Sequence, residues 1–543
     1  MTVYAFEPVG FDGELVTVEI DIRRGIPSID LVGLPDGAVR EARERIRAAI
    51  RNSAFEFPLD RLLLSLAPAG VPKGGSSFDL AMAFAVLVAS GQVPDAPPSA
   101  MALGELELSG RVRPVPGVLS AIAAGLRAGI HWFVVPRANL TEASALAGKS
   151  ALAIDTFRDL AHLAAGMRGV APLEGYIAST NVMETGRSAP DMVDGVHARE
   201  GSPVLPSLDV DFVPSVTEPD MADIRGQRVV RRAMEVAAAG GHHLLLFGPP
   251  GTGKSMAARR LAGLLPDLDD DVAVRVTMLH SLAGQLPEFS GLMRRPPFRA
   301  PHHGASAEGI VGGGRLRKPG EISLAHGGIL LLDEAPEFRT DVLQSLREPL
   351  EEGLISISRA DRDVSYPSEF MLVLACNPCP CGNLGRKNAV CVCSRDEIRR
   401  YWKRLGGPLL DRIDIRVPVE PARADELAEG PGESTAEIRK RVVVARILQE
   451  RRYSAFSRSG SRLNGRIPAA AIEAYCMPKG DGMTYFVGQS EKEGLSSRAS
   501  LSVLRVARTL ADLEGSAEIS IKNLEEAFGY RQYGDGDIFW VVP

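Results

Sequence analysis

The chain lacks any apolar run reaching the roughly 18 residues that a membrane-spanning helix needs. Its start, Met1-Thr-Val-Tyr-Ala-Phe-Glu7, has neither a basic segment nor an apolar one of the kind that opens a secretory signal. A cytoplasmic location with no membrane contact is therefore expected. Excess basic charge is absent as well: 62 Lys and Arg face 68 Asp and Glu, for a net charge of −6. No global field attracts nucleic acid, so any such contact must come from a local patch. Six cysteines in 543 residues do not make a disulfide framework. Internal repeats and coiled-coil heptads are missing too. What remains is long enough for about three domains, with 45% hydrophobic residues to fill their cores.

Against these absences one segment stands out, Gly248-Pro249-Pro250-Gly251-Thr252-Gly253-Lys254-Ser255. It follows the apolar run Leu244–Phe247, which reads as a buried parallel strand, and precedes Met256–Leu265, which reads as a helix. A strand, a glycine-rich turn and a helix amino terminus aim backbone N–H groups and a helix dipole at an anion. In such a loop Lys254 reaches the β- and γ-phosphates of a nucleotide and Ser255 ligates Mg²⁺. The segment predicts binding of a nucleoside triphosphate, with ATP and Mg²⁺ as cofactors.

About 80 residues further on, Gly328-Ile-Leu-Leu-Leu-Asp333-Glu334 reads as a second central strand ending in two acids. Open α/β sheets place ligands at the carboxyl ends of their strands. Asp333 is expected to hold the Mg²⁺ shell and Glu334 to polarise the attacking water. Neighbouring strand residues point to opposite faces, so the strand must end near Asp333 for both acids to serve one site. Phe370–Cys376 reads as a third buried strand, ending at Asn377, an amide placed to sense the γ-phosphate. In Gly407-Pro-Leu-Leu-Asp411-Arg412, Arg412 suits two readings. It is either an arginine supplied to a neighbouring subunit's nucleotide or a surface partner of Asp411 or Asp414.

These elements, in this order, resemble the magnesium-chelatase and MCM-helicase branch of the AAA+ ATPases. More closely, the chain resembles the ComM (YifB) family through Ile224-Arg-Gly-Gln227, Arg299-Ala-Pro-His-His303, Gly312-Gly-Gly314, Pro319–His326, Leu346–Leu350 and Asn377-Pro-Cys-Pro-Cys-Gly382. The likeness runs over nearly the whole chain. It implies that Arg412 is the arginine finger acting in trans and that Arg498 is the second sensor arginine of a helical lid. It also implies a homo-hexameric DNA motor that drives branch migration on single-stranded or branched DNA during uptake and recombination. A magnesium-chelatase motor and a protein-remodelling ATPase are the alternatives, the first disfavoured because the chelatase subunit is expected to lack a fused amino-terminal domain.

That amino-terminal unit, residues 1–167, resembles the α/β domain of Lon proteases, the ribosomal S5 domain 2-like fold. Val16–Ile22 and Leu62–Ala67 read as strands and Ala38–Arg51 as an amphipathic helix. Ser77 falls where the Lon nucleophile would be, but the position of the catalytic lysine is Leu119. An alkyl chain cannot activate a serine, so the unit is expected to be proteolytically inactive. A Pro-, Gly- and Ser-bearing linker is expected over 168–215, the AAA+ core over 216–421 and the helical lid over 422–543. Ser434 and Glu437 are spaced as a capping box opening the lid's first helix.

Two further groups carry chemistry. Cys379-x-Cys381 and Cys391-x-Cys393 form two tight pairs that suit a structural Zn²⁺ with four thiolates. A redox disulfide and unligated thiols are the other readings, and Cys376 and Cys476 read as packing residues. Arg315, Arg317 and Lys318 in a Gly-rich insertion, and Arg359 and Arg362 near the tip of an expected hairpin over Ile355–Tyr366, are candidate DNA contacts. Basic side chains on such loops grip phosphates without reading sequence. His302 and His303 lie in the same insertion.

Overall fold

A computed structural model of the chain describes residues 2–93, 99–160, 219–286, 291–314, 317–359, 362–386, 389–422, 426, 430–454 and 462–533. The expected linker, 168–215, and Arg315 lie outside the described residues.

Residues 2–160 build a seven-stranded mixed sheet in the order Ser28–Val32, Arg61–Ala67, Glu14–Arg23, Thr2–Glu7, Ser99–Ala102, Phe133–Pro136, Ala151–Ile154. Leu62, Leu64 and Leu66 alternate into its core, as one covered sheet face demands. The helix Gly37–Asn52 begins where the Asp36 carboxylate accepts from Val39 N at 2.9 Å. Leu119 is fully buried on the helix Val118–Arg127, and Lys73 is buried with its ammonium on the Pro68 carbonyl.

The second unit is a five-stranded, all-parallel sheet in the order Phe298–Arg299, Ile329–Leu332, Met371–Cys376, Leu244–Phe247, Ile415–Pro418. Parallel strands need crossover connections that cover both faces, which explains why these strands are apolar throughout. Leu244, Leu246, Val373 and Val417 face a core shared with the helix Arg228–Gly240 and the C-terminal helices Thr435–Tyr453, Ser497–Leu513 and Ile521–Gly529. Leu245, Phe247, Leu332 and Leu374 face the other way, toward Leu279, Phe338 and Trp402. The register sets Phe247 beside Cys376 and Leu332 beside Leu374. The segments that follow three strands, at Gly248, Asp333 and Asn377, therefore emerge along one edge.

Buried polar groups fasten the helices to this sheet. His242 Nδ1 lies 3.0 Å from Asp414 Oδ2 and its Nε2 lies 2.7 Å from Thr509 Oγ1, while Ser502 Oγ donates to Asp414 Oδ1 at 2.5 Å. Against the cost of its burial, the His242 hydrogen bond and the neighbouring His242, His243 and Arg505 hold the Asp414 carboxyl well below the usual carboxylate range. Asp512 accepts from Arg452 at 2.8 Å and from Arg508 at 3.1 Å. As the sequence predicts, Ser434 and Glu437 cap Thr435–Tyr453 reciprocally.

The amino-terminal unit docks on the parallel-sheet unit through a second buried network. Ser281, on the helix Asp270–Ala283, accepts from Gly117 N at 2.9 Å and donates to the Glu142 carboxylate, which also accepts from Leu119 N at 3.1 Å. Val9 and Phe11 pack against the apolar cluster that includes Ile357 and Val364 of the hairpin Leu354–Arg359/Arg362–Pro367, and a Cβ at Gly10 would stand 3.0 Å from Val364 Cβ.

His243 and His326 are buried and accept backbone N–H groups at Nδ1, from Leu372 and Glu369 respectively, each at 3.0 Å. An accepting nitrogen carries no proton, and burial pushes both rings down to about 3. Unfolded histidine takes up its proton near pH 6.5. Below that pH the unfolded chain gains protons that the folded one refuses, so stability falls. The loss is on the order of 1 kcal/mol per pH unit for each ring. Thermal melting followed from neutral pH down to roughly pH 5 should show a steady decline, shallower in His326→Gln, whose amide oxygen can still accept from Glu369 N.

Candidate ATP site and the Arg412–Arg498 cleft

The phosphate loop takes its shape from two left-handed glycines, Gly251 at φ +81° and Gly253 at φ +88°, conformations that side chains disfavour. Gly248 is needed for closeness, since a Cβ there would stand 2.1 Å from Val419 O. The loop ends at the helix Lys254–Leu264. Lys254 is buried, and burial lowers its pKa while Asp333 and Glu334 work the other way. Its ammonium donates to Gly248 O and Pro249 O at 2.8 Å each and to Asn377 Oδ1 at 3.2 Å. Gln227, from a turn before the helix Arg228–Gly240, steadies the loop by donating to Thr252 O at 2.9 Å and Glu420 O at 3.1 Å.

Ser255 Oγ donates to Asp333 Oδ2 at 2.5 Å, so the two oxygens assigned to Mg²⁺ by the sequence already lie together. The strand ends at Leu332, and Glu334 turns off it at φ +53°. That sparsely populated conformation lets both acids serve one edge of the sheet, at a cost of roughly 1–3 kcal/mol. His303 Nδ1 stands 3.4 Å from Glu334 Oε2, and the His302 and His303 rings stack 4.1 Å apart. Among the described residues, the one metal-competent cluster of His, Cys and acids is Cys379, Cys381, Cys391 and Cys393, with all four sulfurs within 4.8 Å of one another. Cys376 and Cys476 are buried elsewhere.

Arg412 does not pair with Asp411 or Asp414. It reaches Glu351, on the helix Arg347–Glu352, and Arg498 Nη2 binds the same Oε1 at 2.6 Å. The two arginines pull the Glu351 carboxyl below its ordinary range despite its partial desolvation. They line a cleft of about 850 Å³ with Asp411, Arg466 and Arg505, to which no residue of Gly248–Ser255 contributes.

The DNA candidates are less concentrated. The hairpin pairs Arg359 with Arg362 at its tip. Gly312–Gly313 pairs with Lys318–Pro319 in a smaller hairpin, where Lys318 is exposed and the Arg317 carbonyl accepts from the Tyr366 hydroxyl. Arg299 is committed to Glu321 by two bonds of 2.6 Å.

Comparison with known proteins agrees with this geometry. The family model "Magnesium chelatase, subunit ChlI" matches residues 220–427, "Subunit ChlI of Mg-chelatase" matches 18–139, and "Magnesium chelatase, subunit ChlI C-terminal" matches 432–531. Competence protein ComM of Haemophilus influenzae is 37% identical over 533 residues, covering 97% of each chain. The chain belongs to the ComM/YifB family of Mg-chelatase-like AAA+ ATPases. YifB of Escherichia coli is likewise 37% identical over 533 residues, 97% of this chain and 96% of its own. An uncharacterized protein of Mycobacterium tuberculosis is 41% identical, with 97% of each chain covered. A Lon protease of Geobacter metallireducens is similar to a stretch of 146 residues at 36% identity, 26% of this chain and 17% of its own. Membership in the ComM/YifB family implies ATP and Mg²⁺ as ligands, and the donors described above fit both. Among the described residues no helix is long and apolar enough to cross a membrane.

Sequence reasoning missed Glu351, an ordinary acid on a short helix whose partners lie 61 and 147 residues away. The approach of His303 to Glu334 was equally hidden, although its motif was visible. Glu334→Gln should bind ATP but slow hydrolysis by on the order of 10²–10⁴, whereas Lys254→Ala should lose nucleotide affinity. Equilibrium binding of a fluorescent ATP analogue beside steady-state phosphate release checks both.

Proposed function

We propose that the protein is a ring-forming, cytoplasmic ATP-driven motor acting on DNA, a branch-migration helicase like that implied for the ComM family. Lys254 contacts the β- and γ-phosphates, and Ser255 and Asp333 hold the Mg²⁺ shell. Bound Mg²⁺ neutralises charge on the transferring phosphate. Glu334 takes the proton of the attacking water, and Asn377 orients that water. Four thiolates hold a structural Zn²⁺.

The observation that carries the ring is the placement of Arg412 and Arg498. Both are gathered on Glu351 in a cleft with no residue of their own phosphate loop. Delivered to a neighbour's nucleotide, an arginine stabilises transition-state charge and raises the rate roughly 10³–10⁵-fold. A homo-hexamer closes such head-to-tail contacts. DNA is supported by the competence name of one relative and by the hairpins that carry Arg317, Lys318, Arg359 and Arg362. The chelatase-type motor stays as a second reading for one reason. The amino-terminal unit itself matches a model named for the chelatase subunit, so its presence does not separate the two functions.

ATPase rates without DNA and with single-stranded, duplex and branched DNA test the reading. Several-fold stimulation is expected, lost in an Arg359→Ala/Arg362→Ala variant. Rates that ignore all three DNAs would favour the chelatase-type or protein-remodelling motor.

A further inference from the structure

The four cysteines lie against the nucleotide site. Cys379 follows Asn377-Pro378 directly after the strand Met371–Cys376, and the chain turns back where Gly382 N donates to Cys379 O at 3.0 Å. Gly382, at φ +74°, packs on the phosphate loop: a Cβ there would stand 3.0 Å from Pro250 Cδ and 3.9 Å from Asn377 Cγ. From the other side Trp402 Nε1 donates to Pro378 O at 3.0 Å. Trp402 belongs to the helix Arg395–Lys403, whose capping residue Ser394 immediately follows Cys393. The cluster therefore joins the segment after Asn377 to the helix that buttresses it.

Its dimensions suit one ion. Tetrahedral zinc with Zn–S of about 2.3 Å separates its sulfurs by about 3.8 Å. Here Cys379 Sγ lies 3.4 Å from Cys381 Sγ and 3.6 Å from Cys391 Sγ, and the last two are 3.7 Å apart. Four protein ligands leave no open position, so the ion is structural.

We propose that Zn²⁺ held by Cys379, Cys381, Cys391 and Cys393 clamps the Asn377-Pro378 turn and keeps the Asn377 carboxamide on Lys254, so that metal occupancy sets turnover. This rests on the reading of the loop as an ATP-hydrolysing site. Without the ion, Lys254 keeps its bonds to Gly248 O and Pro249 O, and nucleotide still binds. Asn377 then loses its fixed position, and the hydrolysis step suffers.

The test uses the purified full chain. Elemental analysis should find about one zinc per chain. A Cys391→Ser/Cys393→Ser variant should lose the zinc and keep its affinity for a fluorescent ATP analogue. Its turnover should drop on the order of 10- to 100-fold, as a displaced group of this kind does. The same two substitutions in an Asn377→Ala background should cost little more, because both act on one residue. A wild-type chain without zinc overturns the proposal. So does a zinc-free variant turning over at the wild-type rate, or a loss that multiplies with Asn377→Ala. If the variant melts before it can be assayed, zinc is stripped from the wild-type chain by a chelator and restored, with the same two readouts and the same outcomes. Zinc at full stoichiometry with no ATP affinity would contradict the ATP-site reading instead.

Discussion

A buried ammonium ion organises this molecule. Lys254 sits out of water, where its charge is costly, and the fold answers with two loop carbonyls and the Asn377 amide. Those partners arrive on two adjacent parallel strands, held in register by pairs such as Phe247 and Cys376. The apolar strands, their covering helices and the left-handed glycines of the loop are the means of bringing these groups within 3.2 Å of one nitrogen. A bound phosphate would offer this ammonium a far better counter-charge than the carbonyls do.

The opposite edge is organised by acids. Asp414, two residues after Arg412, is anchored to His242 and Ser502, which joins the last strand to the helix bearing Arg498. Glu351 then collects both guanidinium groups. The Asp414 group is buried, so breaking one partner there is strongly destabilising, whereas the exposed pairs on Glu351 add little to stability. The value of these pairs is geometric: Glu351 fixes two arginines side by side in one cleft. The amino-terminal unit extends the same logic through Glu142 and Ser281, and its Gly10 lies close to Val364 of the hairpin whose tip carries Arg359 and Arg362.

Much of this was legible because it is local. The phosphate loop, the acids after Leu332, Asn377 and the Ser434–Glu437 cap lie in continuous segments where periodicity and turn chemistry speak directly. The spacing of the two cysteine pairs suited a four-thiolate site but also a disulfide or free thiols, and the fold brings all four sulfurs within 4.8 Å of one another. What could not be read joins distant residues: Glu142 with Ser281 across 139 positions, His242 with Thr509 across 267. Glu351 belongs to this class, and so does the seat of the cysteine cluster on Pro250. Such contacts depend on how layers pack, which no local pattern encodes. The left-handed Glu334 was hidden for another reason, since sequence preference runs against that conformation in a glutamate.

The central claim is that Arg412 completes the nucleotide site of a neighbouring subunit. Mixing two inactive variants, Lys254→Ala and Arg412→Ala, and measuring ATP hydrolysis tests it most directly. At interfaces where the intact loop of one meets the intact arginine of the other, a complete site forms. Random assembly of equal amounts makes about a quarter of the interfaces complete, half times half, in a head-to-tail ring. Recovery toward that share of the wild-type rate is the predicted result. A mixture as inactive as its components would contradict the account and return Arg412 to a role within its own subunit.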